Sequence, residues 1–179
     1  LCQPRRKELL FGDKNGEPRQ KIACDLHKNK LGLVFTGAKR LGINIIETKT
    51  QDASEYSDEF PVFDRVLCDV PCSGLGVMAK KPEIRYKSEE ETEKLPAIQR
   101  AILENCSGYV RNGGVLLYST CTLSKDENEN VISAFLSEHG NFSPEPFTVG
   151  EIRSDGIRTI LPQEFCTDGF FIAKLRKRD

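Results

Sequence analysis

Phe63-Asp64-Arg65-Val66-Leu67-Cys68-Asp69-Val70-Pro71-Cys72-Ser73-Gly74 is the stretch on which the fold turns. Phe63 to Cys68 is a short apolar run of the kind that forms a buried strand. Pro71 and Ser73-Gly74 mark a tight loop, so Cys72 lies beyond the strand rather than inside it. A second stretch repeats the plan: Val115 to Tyr118 reads as a strand, and Ser119-Thr120-Cys121-Thr122-Leu123 follows it. Parallel strands ending side by side would bring both thiols to the crevice at their carboxyl ends, where open α/β sheets bind ligands. Two thiols beside a carboxylate, Asp69, suggest covalent chemistry.

Strands and helices alternate around this stretch. Lys21 to Asp25 is a short strand ending in an acid. A helix follows, with Leu31, Val34, Phe35, Ala38 and Leu41 at helical spacing and Gly42 as its stop. Asn44 to Thr48 reads as the next strand, with Asp52 just beyond it. After a long loop, Pro71 to Lys87, the pair Ser88 and Glu91 forms a capping box opening a helix. Its stripe is Leu95, Ile98, Ile102, Cys106 and Tyr109, and Asn112-Gly113-Gly114 ends it. Ser124 and Glu127 predict a second capping box, before a helix that turns Val131, Ala134 and Phe135 inward. Ile157 to Leu161 and Phe170 to Leu175 read as an antiparallel pair with no helix between them. The expected class is α/β: a Rossmann-like domain with a mostly parallel sheet and an antiparallel final strand.

The bulk properties narrow the function. A chain of 179 residues suits one domain with a real core, and 38% hydrophobic with 30% charged residues suits a soluble globular protein. No apolar run reaches the roughly 20 residues of a membrane-spanning helix, and no signal peptide is visible. The seven cysteines form no Cys-x-x-Cys pair, which argues against a disulfide framework or a structural zinc site. Free thiols point to a reducing compartment, the cytoplasm. The net charge of -1 does not advertise nucleic-acid binding, but Lys80, Lys81, Arg85 and Lys87 crowd the loop after Cys72 and could contact phosphates. A second basic run, Lys174 to Arg178, reads as solvated surface.

Asp25, Asp52 and Asp69 each stand at or just past a strand end. An acid after the second strand of a Rossmann-like unit commonly binds ribose hydroxyls, a role open to Asp25 toward an adenosine cofactor; Asp52 could accept from an adenine amino group. Cys24, Cys68, Cys106 and Cys166 read as small apolar packing residues. For Cys121 the residues alone leave packing and chemistry equally open. A cysteine-dependent redox or hydrolytic enzyme is disfavoured, because His27 and His139 sit in or beside helices, away from both cysteine motifs.

Asp69-Val70-Pro71-Cys72-Ser73-Gly74 resembles the Asp-Ala-Pro-Cys-Ser-Gly motif of the Sun/Fmu/RsmB group of RNA cytosine-5 methyltransferases. Ser119-Thr120-Cys121-Thr122-Leu123 is similar to their second cysteine motif, and Lys81-Pro82-Glu83-Ile84-Arg85-Tyr86 to their Pro-Asp-Ile-Lys-Trp segment. Leu161-Pro162 and Asp168 to Leu175 resemble their closing motif, so the resemblance spans about residues 21 to 175. Among the members, the bacterial enzymes acting on small-subunit ribosomal RNA are most similar.

The resemblance implies an S-adenosylmethionine-dependent fold and transfer of a methyl group to carbon 5 of cytosine in RNA, 16S ribosomal RNA foremost, with no metal. It implies that Cys121 is the nucleophile and Cys72 assists product release. Asp69 would lie near the cytosine and the methionine end of the cofactor, and Asp25 and Asp52 would hold the adenosine. Lys80, Lys81 and Arg85 would face the RNA. The first cofactor motif departs from the pattern. Cys2, Pro4 and Lys7 are possible remnants of its loop, but Arg5 and Arg6 stand where glycines are expected, and the first strand is missing from the reading. Residues 1–20 are therefore expected to be a degraded remnant and an irregular loop, and 21–179 the catalytic domain of a truncated or altered copy. The alternative is a catalytically impaired, RNA-binding fragment of such an enzyme.

Overall fold

The computed structural model describes residues 21–179; the readings on residues 1–20, including the remnant loop and the missing first strand, lie outside the described residues. Lys21–Asp25 forms β1, Lys28–Arg40 α1 and Ile46–Thr50 β2. β1 and β2 pair in parallel, from Lys21 opposite Ile46 to Asp25 opposite Thr50. β2 starts two residues later than hydropathy predicts. Gly42, at φ +69°, and residues 43–45 are spent turning the chain back from α1, so pairing with β1 rather than apolar content sets the strand's ends.

Phe63–Asp69 (β3) and Val110–Thr120 (β4) are the second parallel pair. Phe170–Lys177 (β9) lies antiparallel on the other side of β4. The far edge of β9 is shared by two short strands, β5 (Phe142–Pro144) and β8 (Ile157–Ile160), both antiparallel to it. Phe147–Val149 (β6) and Ile152–Ser154 (β7) form a separate hairpin turning at Gly150, φ +58°. The antiparallel close of the sheet is thus as expected. A four-residue helix, α5 (Pro162–Phe165), nevertheless interrupts the connection between β8 and β9, because Pro162 suits a first helical turn.

The helices correct the reading in instructive ways. The segment opened by Ser88 is two helices, α2 (Glu89–Glu93) and α3 (Leu95–Gly108), although Ser88 does cap the first, accepting the Glu91 N–H. Pro96 explains the break: it has no N–H to donate and crowds the Thr92 carbonyl four residues back. α3 ends at Gly108 rather than at Asn112. The next residues pair with β3 at once, Phe63 opposite Val110, and the Asn112-Gly113-Gly114 turn becomes an irregularity inside β4. α4 (Glu129–Glu138) begins four residues later than an N-cap at Ser124 predicts, so Ser124 and Glu127 do not cap it.

Two apolar stripes are rotated from their expected faces. On α1, Leu31 and Ala38 are buried but Phe35 is 57% exposed. Lys30 turns inward to pair with buried Asp25, which pulls that side of the helix onto the sheet and leaves the Phe35 flank outside. Leu41 lies past the helix end and is exposed too. On α3, Ile98 is exposed while Gln99 and Leu103 are fully buried with Ile102 and Cys106. α4 turns Val131 and Phe135 inward as expected, with Ile132 beside them. Cys24, Cys68 and Cys106 are buried, as packing cysteines should be, whereas Cys166 is exposed at φ +49° in a turn. The main core gathers Val66, Leu116, Tyr118, Leu103, Phe135 and Phe171, with Ile22 and Cys24 of β1 joining it.

Candidate active site

β3 and β4 are adjacent and parallel, with Asp69 opposite Ser119. Both cysteine motifs therefore leave the sheet at the same end, one strand apart. The Val70 N–H donates to the Ser119 carbonyl, 3.2 Å, and the Ser119 hydroxyl reaches an Asp69 carboxylate oxygen at 3.4 Å. Beyond the strands the two thiols meet, Cys72 Sγ to Cys121 Sγ at 3.4 Å. The Cys121 N–H points at the Cys72 sulfur, 3.2 Å away. Cys72 is buried and Cys121 is half-buried, so Cys121 is the more open of the pair.

Gly76 makes this approach possible. It lies in a 3-10 turn (Leu75–Val77) entered from Gly74, whose φ is +83°. Its N–H donates to the Cys121 carbonyl and its own carbonyl accepts the Gly169 N–H, at 3.0 and 2.8 Å. A Cβ on Gly76 would sit 2.1 Å from the Gly169 carbonyl oxygen. Three loops thus touch through one residue that must have no side chain.

The basic loop is partly committed to the protein itself. Lys80 pairs with Asp168 at 2.7 Å, and Lys87 donates to the Ser73 carbonyl at 2.8 Å. Arg85 and Tyr86 are exposed, Tyr86 at 84%, on a second 3-10 turn (Pro82–Tyr86); Lys81 is half-buried.

Asp25 and Asp52 form a second group, at the ends of β1 and β2. Asp25 is buried, accepts the His27 N–H at 2.8 Å and pairs with Lys30 at 3.5 Å. Asp52 accepts the backbone N–H and hydroxyl of Ser54. The two histidines stay away from the thiols: His27 precedes α1, and His139 stacks on Phe135 and contacts Glu104.

The residues missed in the sequence lie behind the cysteines. Glu127, expected to cap a helix, is 3% exposed, and one of its oxygens accepts both the Ser73 N–H and the Gln99 amide, each at 2.8 Å. Gln99 also donates to the Pro71 carbonyl. A glutamine inside the apolar stripe of α3 was the available signal, since a polar side chain on a buried face must find partners. Burial raises the thiols of Cys24, to about 12, and of Cys68, which disfavours the reactive thiolate at both.

The family described as 16S rRNA methyltransferase RsmB/F matches residues 11–176. The protein named "Probable ribosomal RNA small subunit methyltransferase B" of Bacillus subtilis is 43% identical over 166 residues, 87% of this chain and 37% of that protein. The tRNA (cytosine(72)-C(5))-methyltransferase of Pyrococcus horikoshii is 35% identical, over 87% of this chain and 40% of its own length. The crystal structure of NSun6 from Pyrococcus horikoshii with SFG superposes with a TM-score of 0.77 at 32% identity, covering 90% of this chain and 42% of that one. The chain thus spans about two fifths of the length of these relatives.

Proposed function

The chain belongs to the RsmB/F family of 16S rRNA methyltransferases, and on that premise we propose that it methylates carbon 5 of a cytosine in RNA, 16S ribosomal RNA first, through a covalent cysteine adduct. The observation carrying this reading is the 3.4 Å approach of Cys72 and Cys121 at the ends of adjacent parallel strands, with Asp69 in register beside them.

Carbon 5 of cytosine is a poor nucleophile while the ring is aromatic. The Cys121 thiolate adds to carbon 6, forming a carbon–sulfur bond and pushing an electron pair toward carbon 5, so that one hard step becomes several easier ones. Bound S-adenosylmethionine supplies the electrophilic methyl group. Cys72, in contact with Cys121, is placed to take or relay the proton that carbon 5 must then lose. As that proton leaves, the carbon–sulfur electrons return to Cys121 and the ring becomes aromatic again. Asp69 would hold the cytosine ring nitrogen by sharing a proton with it.

The donor set suits the adenosine half of the cofactor. β1 and β2 are parallel neighbours, and each presents a carboxylate acceptor at its end: Asp25, steadied by His27 and Lys30, for ribose hydroxyls, and Asp52 for the adenine amino group. The loop that would wrap the methionine end falls within residues 1–20, outside the described residues. Lys81 and Arg85 would meet the RNA backbone, and Lys80 would do so on exchanging Asp168 for a phosphate.

The test is methyl transfer from labelled S-adenosylmethionine to 16S ribosomal RNA. We expect none with Cys121→Ala, and an RNA–protein adduct that accumulates with Cys72→Ala. Equal transfer by Cys121→Ala and the parent would overturn the assignment.

A further inference from the structure

We infer that Glu127 is a positioning residue that sets the distance between the two thiols by gripping the residue that follows each of them. The inference rests on the reading of Cys72 and Cys121 given above. Ser73 follows Cys72, and its N–H donates to Glu127 Oε2 at 2.8 Å. Thr122 follows Cys121, and its hydroxyl faces Glu127 Oε1 at 3.5 Å. The Ser73 and Thr122 hydroxyls bond directly to each other at 2.6 Å, closing the ring. Gln99 joins from α3, with one amide nitrogen reaching both Glu127 Oε2 and the Pro71 carbonyl at 2.8 Å. Pro71 and Ser73 are thus held on either side of Cys72.

The other loop is anchored from the same dipeptide. The Asn128 side chain accepts from the Thr120 hydroxyl at 2.6 Å and donates to the Thr122 carbonyl at 3.0 Å. The Glu127 backbone carbonyl accepts the Tyr118 hydroxyl at 2.6 Å, tying it to β4. Thr120 and Thr122 are therefore held on either side of Cys121. Glu127, Ser73, Gln99 and Thr122 are all 3% exposed or less, so water does not compete for these bonds. Burying a carboxylate is costly unless hydrogen bonds compensate. A carboxylate is also the compact side chain that offers acceptor oxygens in two directions at once, which is what joining two loops requires.

The test uses a fluorogenic bis-alkylating bimane, which bridges two thiols only when they lie a few ångströms apart, on the 179-residue chain carrying Cys166→Ser. The bridge is mapped by peptide mass to Cys72 and Cys121, and methyl transfer is measured alongside. Glu127→Ala should slow bridging about tenfold or more, since displacements near 1 Å cost up to about a hundredfold at reacting groups. In the same variant kcat should fall with KM for RNA unchanged. Glu127→Gln should restore bridging to within about threefold of the parent, because its amide oxygen can accept from Ser73 and Gln99 while its nitrogen donates to Thr122. Unchanged bridging in Glu127→Ala, or equal loss in the Gln and Ala variants, would overturn the inference. If Glu127→Ala does not fold, Thr122→Val removes the shared hydroxyl at nearly constant shape, and normal bridging there would overturn it as well. A parent that bridges its thiols but never methylates RNA would instead overturn the proposed function and leave the positioning role standing.

Discussion

At the scale of single residues, environment separates cysteines that look alike in sequence. Cys24 and Cys68 are buried and their thiols are raised by that burial; Cys121 is half-buried and Cys166 exposed. Iodoacetamide at pH 8, read by peptide mass, should label Cys121 and Cys166 in the native chain, and Cys24 and Cys68 only after unfolding. Gly76 gives a second prediction. Its missing Cβ faces the Gly169 backbone at 2.1 Å, and backbone cannot swing aside as a side chain can. Gly76→Ala should cost about 1–3 kcal/mol, as overpacking does, in urea unfolding, and should pull the Cys72 loop from the Cys121 turn. The cysteines themselves were legible from their motifs. Glu127 was not, because its three-residue offset from Ser124 satisfies a helix-capping pattern as well as it does a buried network.

At the scale of elements, the seam between β9 and the end of β5 is held by charge. Glu145 follows β5 and receives Arg176 and Lys174 of β9. The Arg176 hydrogen bond, with Lys174 adding to it, holds the Glu145 carboxyl at about 2 against an ordinary 4.5. A carboxyl lowered by folding stabilises the protein above its ordinary value, and that contribution is lost as pH falls toward about 2. Urea midpoints should therefore drop between pH 4.5 and 2, and Glu145→Gln should flatten that part of the profile. The basic loop carries the other prediction at this scale. If Lys81 and Arg85 meet phosphates, each alanine variant should weaken RNA binding across sequences and reduce the salt slope by about one. The types of the longer elements were readable here from periodicity, while α5 and the element ends were not: pairing set the start of β2, Pro96 split the helix after Ser88, and early pairing with β3 ended α3.

At the scale of the whole molecule, the sheet is mixed rather than mostly parallel among the described residues: β1–β2 and β3–β4 are parallel pairs that share one core, while β9 pairs antiparallel with β4, β5 and β8. β4 is flanked by hydrogen-bonded strands on both sides, whereas β1 is paired on one side among the described residues. Opening free energy follows such differences in backbone pairing. Amide hydrogen exchange should therefore be faster in β1 and β2 than in β4 and β9, with S-adenosylmethionine slowing β1 and β2 selectively if Asp25 and Asp52 hold it. Equal protection in β1–β2 and in β4–β9 would show that the shared core, rather than strand pairing, governs opening. No helix among the described residues is long and apolar enough to cross a membrane.

What the sequence by itself determined is the alternation of strands and helices, the antiparallel close and the two cysteine loops with their acids. These are local signals: hydrophobic period, turn residues and strand-end motifs are written in consecutive residues. The tertiary structure alone decided that the thiols stand 3.4 Å apart, that Lys30 and Gln99 turn inward, and that Glu127 joins the two loops. Apart from Lys30, which reaches Asp25 across the turn between β1 and α1, those outcomes pair groups far apart in the chain: Ser73 and Glu127 are separated by 54 positions. A buried polar atom takes whichever partner packing brings within reach, and that choice is made only when the sheet and its covering helices close around it.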